Sequence, residues 1–290
     1  MESSFAFWPC FAGLLFLITG LISFRKEIAA AVGLNKVVAL ASVFVAASLA
    51  VFGAEHLAGA RILMQGVPVW MPAHLFWAYF VGFALLAAAL SLTFKRYVRW
   101  STLLLAIMIF LFVATIHIPN VITHPKERIF WTVMLRDSAF AAGILAFAAY
   151  LRKQHTLTNI ARAWFAIVVI YFGVEYFLHP LTAPGVPLAK LTPAWVPFPL
   201  FWGYLTGAIL LVSGTALLLN KKPRQAATAI GLTMTVWTLV LYFPLLLMAS
   251  GTAQIPEGYN YVADTLFFAG VALLVATTTS TNNPPTTEPY

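Results

Sequence analysis

Residues 67–82 read VPVWMPAHLFWAYFVG, and residues 192–207 read TPAWVPFPLFWGYLTG. At an offset of 125 residues, eight of the sixteen aligned positions are identical: Pro, Trp, Pro, Leu, Phe, Trp, Tyr and Gly. The likeness extends outward from that stretch. Phe52-Gly53-Ala54-Glu55 answers to Phe172-Gly173-Val174-Glu175, Pro119 to Pro244, and Asp137 with Ala142-Gly143 to Asp264 with Ala269-Gly270. Self-similarity at a steady spacing is the mark of one unit used twice, and the fold has to be built from that unit.

The composition says in which solvent the unit folds. Of 290 residues, 61% are hydrophobic and 9% charged, with mean hydropathy +0.89. A soluble domain carries about a quarter charged residues, so a water-soluble fold is excluded and membrane lipid becomes the first partner. A span needs roughly 20 apolar residues to cross a hydrocarbon core about 30 Å thick. Nine stretches qualify: Phe5–Phe24, Val37–Leu57, Leu75–Phe94, Trp100–Ile118, Phe130–Leu151, Ile160–Phe177, Leu200–Leu219, Ala226–Met248 and the short Tyr261–Ala276. Because a spanning backbone must satisfy its own hydrogen bonds, the predicted class is an all-α polytopic membrane helix bundle. The sequence divides into an extra N-terminal helix (1–35), a first four-helix unit (36–153), a second (154–277) and a disordered tail (278–290). Four spans per unit is an even number, so the two units run parallel about an axis along the membrane normal, as modules side by side.

Basic residues check that count independently. Arg25, Lys26, Lys36, Lys95, Arg96, Arg99, Arg152, Lys153, Arg162, Lys221, Lys222 and Arg224 fall in one set of alternate loops; only Arg61, Lys126, Arg128, Arg136 and Lys190 fall in the other. Such sorting predicts a cytoplasmic face for the first set, with the N-terminus outside and the C-terminus cytoplasmic. The net charge of +8 is thereby read as an orientation signal, and nucleic acid is not a partner. The first span has no basic residues before it and no evident cleavage site, so it reads as a retained helix rather than a signal peptide. The single Cys10 excludes an internal disulfide, a dithiol relay and a cysteine-ligated metal cluster.

On this topology the membrane-embedded acids Glu55, Asp137, Glu175 and Asp264 gather towards the outer face, as do His56, His117, His179 and Arg136. Charge inside a bilayer is costly and finds partners or lines a cavity. Two readings follow. In one, each half holds a polar outer pocket, walled by Glu55 and Asp137 or by Glu175 and Asp264 as proton-handling residues. His56, Trp70, His117, Arg136, His179 and Trp195 would bind the ligand, and Trp70 or Trp195 would roof it. In the other, the acids cap helix ends, accept from backbone amides near the prolines, or pair with Arg61 and Arg136. Ligand spacing argues against a metal: Glu175 and His179 share a helix face, but no Glu-x-x-His pair occurs in the spans. Only His56 and His117 are placed to hold haem, both at the rim.

An acid closing one span, a Pro-x-Trp-x-Pro loop, Leu-Phe-Trp-x-Tyr-x-x-Gly opening the next span and a basic turn after it resemble the DoxX-like family of four-helix membrane proteins. That family includes the DoxD subunit of thiosulfate:quinone oxidoreductase. The resemblance covers each half in turn, and this chain departs from it in its duplication and its extra helix. It implies a bacterial inner (cytoplasmic) membrane protein in a family with many members of unassigned activity; the cofactor stays open, with quinone as one candidate and a redox subunit as a candidate partner. Three functions stand open at this stage: a membrane subunit of quinone-linked redox metabolism, a non-catalytic scaffold for a partner protein, and a small-solute carrier, which the apolar mid-spans weigh against.

Overall fold

The computed structural model describes residues 2–185 and 190–279; the tail expected over 278–290 lies outside the described residues from 280 onward. The described residues form an all-α bundle. In chain order the long helices are α1 (Glu2–Ser23), α2 (Ala41–Ala58), α3 (His74–Phe94), α4 (Val98–Thr123), α5 (Arg128–Leu151), α6 (His155–Leu178), α7 (Pro199–Leu218), α8 (Pro223–Met248) and α9 (Gly251–Thr277). Eight of them are long and apolar enough to cross a membrane, and the chain is a multi-pass membrane protein; the apolar part of α1, Phe7–Ser23, is shorter.

The ninth helix begins ten residues before the apolar run does. Gln254, Glu257 and Asn260 break that run in the sequence, yet Glu257 bonds Lys190 and Asn260 bonds Glu55, so the backbone stays helical through them. Asp264 consequently lies thirteen residues into α9 rather than just inside it.

Packing follows an approximate two-fold relation. Within each repeat the first helix packs on the second and the third on the fourth, α2 on α3 and α4 on α5, then α6 on α7 and α8 on α9. Between repeats, α2 packs on α9, α5 on α6, and α5 meets α9 at the centre. The first helix of each repeat thus leans on the last helix of the other, so the units are interlocked rather than merely adjacent. α1 lies against α2, α3 and α9.

The stretches aligned by sequence share local backbone features. Glycines let the first two helices of each repeat approach closely: a Cβ on Gly53 would meet the Gly82 carbonyl oxygen at 3.0 Å, and a Cβ on Gly207 the Gly173 carbonyl oxygen at 3.0 Å. Each Pro-Trp-Pro loop enters its helix through a left-handed residue, Ala73 (φ 55°) or Phe198 (φ 54°). The helix that follows returns a tryptophan to the loop, Trp77 Nε1 donating to the Pro72 carbonyl and Trp202 Nε1 to the Pro197 carbonyl, each at 3.0 Å. α4 and α8 each contain a π turn, Val113–His117 and Thr238–Tyr242. Two residues past each turn comes a proline, Pro119 or Pro244, which cannot donate and whose ring would clash with the carbonyl four residues back. Widening the helix there accommodates it.

Candidate functional site

The π turn of α4 presents His117 to α5. Its Nε2 lies 2.9 Å from Asp137 Oδ2. Asp137 Oδ1 accepts from Arg136 Nε at 3.0 Å, and Arg136 Nη1 donates to Asp264 Oδ2 of α9 at 2.7 Å. Arg136, Asp137 and Asp264 are largely buried, at 13%, 16% and 14% side-chain exposure, and His117 keeps 18%. Asp137 stands nine residues into α5, roughly 14 Å along the helix at 1.5 Å per residue. Four of the residues singled out by sequence therefore form one continuous network, located where the two repeats meet.

The acids at the helix ends are also held across the repeats. Glu55 Oε1, closing α2, accepts from Tyr259 OH and Asn260 Nδ2 of α9, both at 2.9 Å. Glu175, closing α6, is buried and accepts from Arg128 Nη1 of α5 at 3.1 Å. Each carboxylate binds the opposite repeat rather than the aspartate of its own half. Arg136 takes up the pairing anticipated for it, whereas Arg61 makes no ion pair among the described residues.

The remaining candidates stand apart from this network. His56 Nδ1 donates to the Phe52 carbonyl one turn back, at 2.8 Å. His179 falls one residue past the end of α6 and is exposed, so it does not share a helix face with Glu175. Trp70 is 72% exposed and Trp195 49%, and neither indole makes a hydrogen bond among the described residues.

The second repeat fills the equivalent space differently. Tyr176, standing where the first repeat has His56, is fully buried and donates to the carbonyls of Ala183 at 2.9 Å and Gly185 at 3.0 Å. Tyr242, standing where the first has His117, packs with Ala183, Val196, Trp237 and Leu241.

Sequence reasoning missed Tyr259, Asn260 and Arg128. The first two precede the apolar run of the ninth span, and in the sequence Arg128 reads only as a loop charge. An i, i+4 spacing from Asn260 to Asp264 was the available signal for extending that helix.

No family model matches the chain, and no match was found among curated proteins or solved structures.

Proposed function

We propose that this membrane protein is a subunit of quinone-linked redox metabolism that binds a quinone or quinol head group beside His117. The observation that carries the reading is the His117–Asp137–Arg136–Asp264 chain of contacts, in which an imidazole at the edge of the network is backed by a buried carboxylate. A histidine so placed can donate to a quinone carbonyl and exchange a proton with it. Reduction of a quinone to a quinol takes two electrons and two protons. The electrons come from a partner redox subunit or a donor substrate, and His117 hands on a proton as the carbonyl oxygen gains charge. The resemblance of both repeats to the DoxX-like pattern supports the same reading. The alternation of basic loops supports a bacterial inner membrane location with the N-terminus outside and the site towards the outer face.

Extraction of purified protein is expected to yield quinone, or added quinol is expected to bind. His117→Gln and Asp137→Asn should weaken that binding by about tenfold or more, equivalent to roughly 1.4 kcal/mol, while Glu175→Gln leaves it unchanged. Protein that neither carries nor binds a quinone, alone or with a redox partner, would refute the proposal.

A scaffold role is the second reading, favoured by the cross-repeat bonds that already occupy Glu55 and Glu175. Under it, Glu55→Gln and Glu175→Gln lower the stability of the protein while the host complex retains full turnover.

A further inference from the structure

We propose that Glu55, Asp137, Asp264 and His117 form, around the single guanidinium of Arg136, a buried store for two protons. Asp137 and Asp264 both bond Arg136, at 3.0 and 2.7 Å. Among the described residues, Glu55 receives only the neutral donors Tyr259 and Asn260. Asn260 and Asp264 are four residues apart on α9 and so occupy one face, which places Glu55, bonded to Asn260, on the side of α9 that carries Asp264.

Two carboxylates thus bond one permanent cation, and a third, Glu55, stands on the same face of α9 as Asp264, at the junction of α2, α5 and α9. Unbalanced charge at membrane depth is disfavoured, and neighbouring carboxylates resist ionising together. Two positive charges are missing. His117 supplies one by carrying its imidazole as the cation against Asp137. A proton held between Glu55 and Asp264 supplies the other.

The facing groups provide no substitute. Tyr259 and Tyr261 on α9 and Tyr242 on α8 are phenols and Cys10 of α1, beside Tyr259, is a thiol, and neither kind of group carries positive charge. His56, next to Glu55 in sequence, bonds the Phe52 carbonyl and makes no ion pair with a carboxylate among the described residues. Lys190 is paired with Glu257, and Arg128 with Glu175.

Two is also the number of protons consumed when a quinone becomes a quinol. In that respect the inference rests on the function proposed above, but the store is a property of the protein without quinone and is tested there. Proton release from quinone-stripped, full-length protein, taken from mildly acidic to alkaline pH, is expected to include two protons from this cluster. Infrared difference spectra should show one protonated carboxyl and one imidazolium lost. Glu55→Gln or Asp264→Asn removes the carboxyl signal and lowers the count by one; His117→Gln removes only the imidazolium and also lowers it by one; Glu175→Gln changes neither. Glu55→Gln keeps an acceptor for Tyr259 and Asn260, so it carries the test if Asp264→Asn does not fold. Absence of a protonated carboxyl at mildly acidic pH, or a carboxyl signal that persists in both variants, would overturn the store. Two titrating protons in protein that binds no quinone would leave the store standing and retire the quinone reading.

Discussion

In the first repeat the π turn presents His117, which bonds Asp137; in the second it presents Tyr242, whose ring lies against Gly185 and whose hydroxyl is directed towards the Ala183 carbonyl. Around that difference the backbones agree, with the same glycine contact between the first two helices, the same left-handed helix entry and the same tryptophan-to-loop bond. The repeats have kept their packing and divided their chemistry. His56, His117 and Arg136 of the first repeat are replaced by Tyr176, Tyr242 and Ala263 in the second, which exchanges two imidazoles and a guanidinium for a methyl group and two buried phenols directed towards the Ala183 carbonyl. α5 carries both arginines of the interface and spends each on an acid of the other repeat, Arg128 on Glu175 and Arg136 on Asp264. The duplication supplies the acids and one half supplies the cations.

The largest expected effect comes from removing the shared cation. Arg136→Ala should destabilise the protein by about 3–5 kcal/mol, because it leaves Asp264 without its ion-pair partner and Asp137 with His117 alone in a buried site. Thermal unfolding in detergent checks this, and adding Asp264→Asn to the variant should recover part of the loss. No recovery would mean that the two repeats are not coupled through this residue.

Packing should respond equally in the two halves. Gly53→Ala and Gly173→Ala each force a methyl group against the partner helix, Gly53 onto Gly82 and Leu86 and Gly173 onto Leu211. We expect a cost of about 1–3 kcal/mol for each, from overpacking. A large inequality between them would break the claim that the repeats share their packing.

Tyr176→Phe sharpens the chemical difference. It removes the donor to Ala183 and Gly185 and should cost about 0.5–1.5 kcal/mol in stability with quinol binding untouched. Lost binding would show that the second repeat also carries a site. The smallest effects belong to Trp77→Phe and Trp202→Phe. Each loses one exposed bond to a loop carbonyl, and each should cost no more than about 1 kcal/mol, measured as matching shifts in unfolding temperature.

The helix class was legible from apolar run lengths because a span in lipid must meet a fixed length, and the duplication was legible from identities in the Pro-Trp-Pro loops. The start of α9 was not, since a hydropathy reading treats Gln254, Glu257 and Asn260 as the end of a span when their partners are far away in sequence. Likewise His117, Arg136, Asp137 and Asp264 were each marked by the rarity of polar groups in a membrane, while their grouping was assigned half by half. The separation of 128 residues between Arg136 and Asp264 left no local pattern to read.

By itself, then, the sequence determined the solvent, the helices, the two-fold use of one unit and the residues too costly to be idle. Tertiary structure alone decided which acid meets which cation. Local periodicity governs the path of a single helix, but ion pairing depends on how helices of different repeats cross, and here the first helix of each unit crosses the last helix of the other.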